Sequence, residues 1–343
     1  MKFRHIIYFL FLIACNKYNN VNQVYSQWKE YNKIEGYVYF KIYSLTIDLK
    51  NEIYFSAFVR EDWVGSNSFK IFKIVSDSII EIDTSYFSSD YTYYSNDSIE
   101  KKIWLNDELV FMEYNNGKDP SKWHVSNIKN KLHSSPVQND SLGNIWIASE
   151  NYYYSINDGI QKYDGKIWIT YFLGTDFWAI CFDNYGNMYA STLPDFNEPG
   201  IVMKYDYKSW DTIVICSQNA DWVPCMHFDK NNNLWCGVLS RNGTTPESGD
   251  GLIKYDGNNI TRYNIYNSSL PSNSVVDIDI DKFNNKWVAM YSGGIAKLTS
   301  GGQWKIFDPN NTPMKISSVE VIAVDDFDNV WFSDHFGLTR IKE

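Results

Sequence analysis

Short stretches of alternating apolar and polar residues, broken by turns rich in Asp, Asn and Gly, run through most of the chain. In Val275-Val276-Asp277-Ile278-Asp279-Ile280-Asp281, apolar and acidic positions alternate with the two-residue period of a strand. Lys282-Phe283-Asn284-Asn285 then forms a turn of residues that tolerate positive φ. Lys286-Trp287-Val288-Ala289-Met290 reads as a second strand, Gly293-Gly294-Ile295-Ala296-Lys297-Leu298 as a third, and Gln303-Trp304-Lys305-Ile306-Phe307 as a fourth. Gly159-Ile160-Gln161-Lys162-Tyr163-Asp164-Gly165 and Gly251-Leu252-Ile253-Lys254-Tyr255-Asp256-Gly257 repeat the third strand, each ending in an Asp-Gly hairpin turn. No apolar stripe of period 3.6 accompanies them, which excludes a helical repeat.

The four-strand unit recurs. An Asp followed six residues later by an aromatic occurs at Asp140/Trp146, Asp183/Tyr189, Asp229/Trp235, Asp281/Trp287 and Asp325/Trp331. Weaker copies stand at Asp48/Tyr54 and, one residue longer, at Asp97/Trp104. Successive Asp residues lie 49, 43, 43, 46, 52 and 44 residues apart, the period of a β-propeller blade. The pattern predicts an all-β fold, a seven-bladed β-propeller of four-stranded blades. Fourth-strand Trp residues precede the next Asp by 15 to 21 residues, and Trp28 precedes Asp48 by 20. Only 18 residues follow Asp325, enough for two further strands and not three. Gln27-Trp28-Lys29-Glu30-Tyr31 is therefore expected to complete the last blade and close the ring without an exposed edge.

Ser269-Leu270-Pro271-Ser272-Asn273-Ser274-Val275, followed by Asp281, Asn285 and Trp287 and then Gly293-Gly294, resembles the two-component-regulator propeller repeat. The resemblance covers residues 137–343 well. It is weak in the first two units, where Asp48-Leu49-Lys50-Asn51-Glu52 lacks the turn glycine. It implies a propeller of the kind that forms the periplasmic sensor part of bacterial hybrid histidine kinases and also occurs in free-standing envelope proteins. Phosphotransfer is not expected of this chain, which shows no kinase module or second propeller. The repeat speaks for fold far more than for function.

The N-terminus supplies an address. Lys2 and Arg4 precede nine apolar residues, too few to span a bilayer, which takes roughly 20. They suit the core of a secretory signal, and Leu12-Ile13-Ala14-Cys15 resembles the bacterial lipobox. The expected organisation is a signal peptide over residues 1–14, a lipidated tether over 15–23 and one propeller over 24–343. Cys15 is the expected site of acylation, holding the protein to a membrane of the cell envelope, with the periplasmic side favoured over the cell surface. The other cysteines, Cys181, Cys216, Cys225 and Cys236, form no zinc-finger spacing. All four lie in predicted strands; if any are bridged, Cys216–Cys225 and Cys225–Cys236 are the nearest pairs in sequence.

Aromatic residues make up 17 % of the chain, with 13 Trp, 26 Tyr and 20 Phe against 9 Pro. So much aromatic surface does not stay in water, which excludes intrinsic disorder. The net charge of −10 excludes a nucleic-acid binder, which needs a basic face.

Candidate chemistry falls in two places. The loops joining fourth to first and second to third strands gather on one rim, are the longest, and carry Trp63, Tyr153, Trp178, Asp195, Trp222 and Arg241. Flat rings beside polar groups suit a glycan or peptide, so these six are the expected ligand-binding residues. Along the inner strands, Thr46, Gln138, Cys181, His227, Asp279 and Ala323 stand two residues before their aligned Asp and are expected to form a layer near the channel. His227 and Asp279 fall in adjacent units, the beginning of a general base or a structural hydrogen bond. Asp277, Asp279 and Asp281 alternate on one strand, but a straight strand does not converge oxygens on a cation, so no metal is expected. No cofactor is expected either, as nucleotide-binding and hydrolase motifs are missing from the sequence. The sequence favours a non-catalytic binder of a glycan, peptide or envelope protein. The alternatives are a propeller enzyme (lyase, lactonase or glycan-cleaving) using the channel residues, and a scaffold of an envelope complex.

Overall fold

The computed structural model describes residues 28–47, 51–62, 68–81, 101–105, 109–113, 137–140, 142, 144–149, 159–164, 168–171, 177–192, 194, 197–241 and 245–342. Every regular element among them is a strand. After β1 (Trp28–Tyr31) come β2 (Tyr39–Ile47), β3 (Ile53–Arg60), β4 (Ser68–Val75) and β5 (Ser78–Glu81), which form one antiparallel sheet in that order. β6 (Lys101–Leu105) pairs with β7 (Leu109–Glu113). A third sheet holds β8 (Val137–Asn139), β9 (Ile145–Ser149), β10 (Gly159–Tyr163) and β11 (Trp168–Tyr171). The fourth holds β12 (Phe177–Phe182), β13 (Met188–Thr192), β14 (Ile201–Tyr205) and β15 (Trp210–Ile215). β16 (Asp221–Phe228), β17 (Leu234–Ser240), β18 (Leu252–Tyr255) and β19 (Ile260–Tyr263) follow, then β20 (Val275–Ile280), β21 (Lys286–Met290), β22 (Ile295–Leu298) and β23 (Trp304–Phe307). The last sheet is β24 (Val321–Val324), β25 (Asn329–Asp334) and β26 (Gly337–Lys342), with β1 as its fourth strand. Trp28 faces Ile341 and Tyr31 faces Leu338 across that pair, so the first and last described strands share one sheet.

The repeated Asp explains why each first strand stops and turns. Asp281 Oδ1 accepts the N–H groups of Phe283 and Asn285, while Oδ2 accepts the Asn285 amide at 2.7 Å and the Trp287 indole N–H at 3.1 Å. Asp140, Asp229 and Asp325 repeat all four contacts, and Asp183 repeats those to the turn. One buried carboxylate thus saturates a turn and ties it to the aromatic on the next strand, and charged acceptors are the strong ones. The third residue after the Asp takes a left-handed φ in each described unit: Asn51, Gly186, Asn232, Asn284 and Asp328. That is why Asn, Asp and Gly occupy it.

The cores lie between consecutive sheets. Trp146 and Phe177 join the third to the fourth; Cys181, Val202, Met226 and Cys236 join the fourth to the fifth. Cys225, Leu252, Ile278 and Val288 fill the next interface, and Trp287, Phe307, Ile322 and Phe332 the one after. Tyr31, Ala323, Trp331 and Leu338 of the last sheet pack on Ile42, Phe55 and Phe72 of the first. All four described cysteines are free and buried, and burial pushes the Cys216 thiol up to about 12. A thiol held neutral this way is an inert packing group.

Third strands begin on glycine because of close approach. A Cβ on Gly251 would run into the Tyr263 carbonyl, one on Gly294 into the Phe307 carbonyl, and one on Gly337 into the Tyr31 carbonyl, all three at positive φ. The equivalence of Tyr31 with Tyr263 and Phe307 places β1 in the fourth-strand role. Gly294→Ala, which combines a left-handed φ with a backbone clash, is expected to lower stability by about 3 kcal/mol in urea unfolding, whereas Gly302→Ala, at φ +82° with open space around it, loses only the conformational part.

Candidate functional site

Each first strand enters its sheet from the rim of long loops; β12, β16 and β20 carry a register irregularity near that end, and β2 one at mid-strand. A bulge re-aims side chains at the end of a strand. Trp178 sits at the bulge of β12 and meets Trp222 of β16 edge to face, with ring centroids 4.2 Å apart and planes at 85°. Both are half-buried. Gly200 makes room for this contact: its N–H donates to the Asp221 carbonyl at 2.7 Å, and a Cβ there would fall 2.9 Å from the Trp222 Cα. Arg241, just past β17, donates from Nη1 to the Pro194 carbonyl at 2.7 Å, and its own N–H donates to Ala220, which holds a φ of 64°. Trp178, Trp222 and Arg241 therefore share one corner of the rim. Trp63, Tyr153 and Asp195 lie outside the described residues, as does Cys15.

Asp221, between Ala220 and Trp222, is the residue that sequence reasoning passed over. It is fully buried, and no hydrogen bond of good geometry reaches either carboxylate oxygen. Burial pushes its carboxyl up to about 6; the Ser240 hydroxyl on the facing strand offsets this only in part, and the Asp250 carboxylate adds to it. Asp250 is itself occupied by Ser217, whose N–H and hydroxyl both donate to it. Nothing in the local sequence marks Asp221, because its environment is assembled from separate segments around Ser240 and Asp250.

The inner-strand layer is more closed than the sequence implies. Among its described side chains, Gln138, Cys181, Asp279 and Ala323 are buried and His227 is partly open, at 25 % side-chain exposure; Thr46 lies outside them. The His227 Nε2 and Asp279 Oδ1 atoms are 3.7 Å apart, beyond hydrogen-bond range. His227 Nδ1 lies 2.9 Å from the Phe228 carbonyl. Asp279 accepts the N–H of Ile280 on one oxygen and that of Val324 on the other, both at 2.5 Å. Asp277 does the same for Ile278 and Ile322 at 2.9 Å. These two carboxylates stitch β20 to β24, because the first strand of each sheet borders the next. No cluster of three metal-ligating side chains occurs among the described residues. A shallow open cleft lies elsewhere, at the junction of β1 and the last sheet beside Lys315, Asp334 and Phe336.

The sequence matches no family model and no curated protein. Solved structures do match. The extracellular domain assigned to a hybrid two-component system of B. thetaiotaomicron aligns with a TM-score of 0.60 at 17 % identity, over 92 % of this chain and 41 % of that one. The fold is a β-propeller. A streptogramin B lyase aligns at 0.56 and 11 % identity, over 93 % of this propeller and 99 % of the lyase. A YCF48 bound to D1 peptide aligns at 0.52 and 13 %, over 92 % and 95 %. The propeller thus spans about two fifths of the sensor domain's length and nearly the whole of the other two. At these identities the likeness concerns the fold.

Proposed function

We propose that the protein is a lipid-anchored propeller of the cell envelope that binds a glycan, peptide or protein partner on its rim, without catalysis. Seven blades follow from the seven copies of the Asp unit, and the pairing of β1 with β26 supports closure of the ring by the N-terminal strand. The lipid anchor rests on Leu12-Ile13-Ala14-Cys15.

The observation that carries the binding reading is the Trp178–Trp222 pair. Two indoles on adjacent first strands, half-buried at a bulged rim beside Arg241, present apolar faces with polar groups at their edges. Such aromatic anchors dominate recognition surfaces. The likeness to a sensor's extracellular domain and to a peptide-bound propeller supports a binding role of this general kind. The enzyme alternative draws on the full-length likeness to a lyase. It is weakened by Asp279, whose two oxygens are committed to backbone N–H groups.

A glycan and peptide array, read for the protein and for Trp178→Ala/Trp222→Ala, tests the proposal. Loss of these anchors should weaken any bound ligand at least about 30-fold, with the circular dichroism of the variant unchanged. Binding that survives the double change and falls with His227→Ala would overturn it, and absence of any small ligand would move the role to a protein scaffold.

A further inference from the structure

The turns joining first to second strands expose four large apolar side chains at one repeated position. Leu142, Tyr185, Phe283 and Phe327 are 85, 83, 60 and 64 % exposed, and each stands two residues after the Asp of its unit. The backbone N–H of each donates to that Asp at 2.9 to 3.0 Å, which turns the main chain inward and the side chain out. Neighbouring turns are bound to one another. The Asn184 N–H donates to Asn232 Oδ1, the Lys230 N–H to Asn284 Oδ1 and the Asp326 N–H to Asn51 Oδ1, at 2.8 to 3.0 Å. Tyr185, Phe283 and Phe327 therefore stand on a braced platform on the face opposite the rim, with Leu142 at the equivalent position of its own turn. Apolar exposure recurring at one structural position is not the scatter expected of an ordinary surface.

The course of the chain indicates what covers them. Trp28 opens β1 opposite Ile341, which faces Val330, the neighbour of Asn329 in the Asp325 turn. The Trp28 end of β1 thus lies at the turn face. Cys15 precedes Trp28 by 13 positions, so a lipid on it stays within about 45 Å of that face even on a fully extended chain. The lysines of this face are engaged within it: Lys282 by Asp328 at 2.8 Å and by the Asp326 carbonyl, and Lys230 by the Lys282 carbonyl.

We infer that the turn face is the surface on which the protein lies against the lipid bilayer, with Leu142, Tyr185, Phe283 and Phe327 in the headgroup region. Aromatic side chains favour that layer, and one more apolar contact adds to an acyl anchor. The rim then points away from the membrane, towards its ligand. The orientation rests on the lipid-anchor reading; the affinity of the face for lipid does not.

The full acylated chain, labelled with bimane at Phe283→Cys or at Tyr266→Cys on the opposite rim, is reconstituted in phosphatidylcholine vesicles holding brominated lipid. The native described cysteines are buried and stay unlabelled. Quenching at position 283 and not at 266 is expected; quenching at 266, or at neither, overturns the inference. A second measurement uses the Cys15→Ser chain in vesicle flotation. Its weak partitioning should fall at least about tenfold in L142S/Y185S/F283S/F327S and should not depend on salt, as apolar insertion predicts. Equal partitioning of the two chains, or self-association through this face without vesicles, overturns the inference. Incorporation of labelled palmitate tests the anchor separately, so either reading can fail alone.

Discussion

Asp229→Ala is expected to remove about 4 kcal/mol of stability, the range for breaking a buried charge pair. Its carboxylate accepts the N–H groups of Asn231 and Asn233, the Asn233 amide and the Trp235 indole at 2.9 to 3.0 Å. It also faces the Lys286 ammonium of the next sheet at 3.2 Å, and that ammonium lies 4.8 Å from the centre of the Trp235 ring. Both charged side chains are almost fully buried, at 6 and 2 % exposure. Alanine would strand an ammonium, an indole N–H and an amide away from water, and each orphaned donor costs in its own right. Urea unfolding of the variant should therefore show a much lower midpoint. An unchanged midpoint would mean that the Asp unit only decorates the turn.

The same residue has an acid signature. Burial alone would push the Asp229 carboxyl up, but the Asn233 and Trp235 donors and the Lys286 charge hold it down at about 2. The unfolded value is about 3.9, so the ionised native form contributes roughly 2.5 kcal/mol. The folded value is the lower one. The contribution is therefore complete above about pH 4 and lost as pH falls towards about 2. In Asp229→Ala that part of the acid-unfolding slope should disappear.

Asp221→Asn is expected to do the opposite and stabilise the protein near neutral pH, by about 2 kcal/mol. The native carboxyl titrates at about 6, raised by burial. Its folded value lies above the unfolded one, so ionisation works against folding: stability falls as pH rises from about 4 to about 6 and stays low above that. An amide removes the charge. The gain should appear in thermal melts above about pH 6 and vanish below about pH 4, where the wild-type carboxyl is already neutral in both states. A variant no more stable at pH 8 than at pH 4, relative to wild type, would show that the ionised Asp221 is solvated after all. Because Asp221 adjoins Trp222 at the rim, the array comparison on this variant also reports whether the carboxylate takes part in recognition.

Much of the architecture could be read from the chain. The Asp, Asn and aromatic at fixed offsets are a local motif: the carboxylate closes a turn four residues long and reaches an aromatic six residues on, so the spacing is written in consecutive residues. Period-two alternation then predicts strands, and the missing fourth strand after β26 points to Trp28–Tyr31, which the β1–β26 register matches residue by residue. The rim corner was partly foreseeable, since Trp178, Trp222 and Arg241 fall in the long loops that the repeat phase assigns to one face.

The remainder depended on contacts between sheets. His227 and Asp279 do approach each other, as their place in adjacent units suggests, but nothing in the sequence shows that Asp277 and Asp279 reach across to the amides of Ile322 and Val324, 45 residues on. No pattern within one unit reports which side of a first strand meets its neighbour. Asp221 carries no local signal in the sequence and is a poorly compensated buried carboxylate in the fold, because Ser240 and Asp250 come to it from other segments of the chain. Likewise Leu142, Tyr185, Phe283 and Phe327 read as turn residues one at a time. Local hydrogen bonding determines what each segment forms; only the packing of the sheets against one another decides which side chains are left facing water, lipid or a ligand.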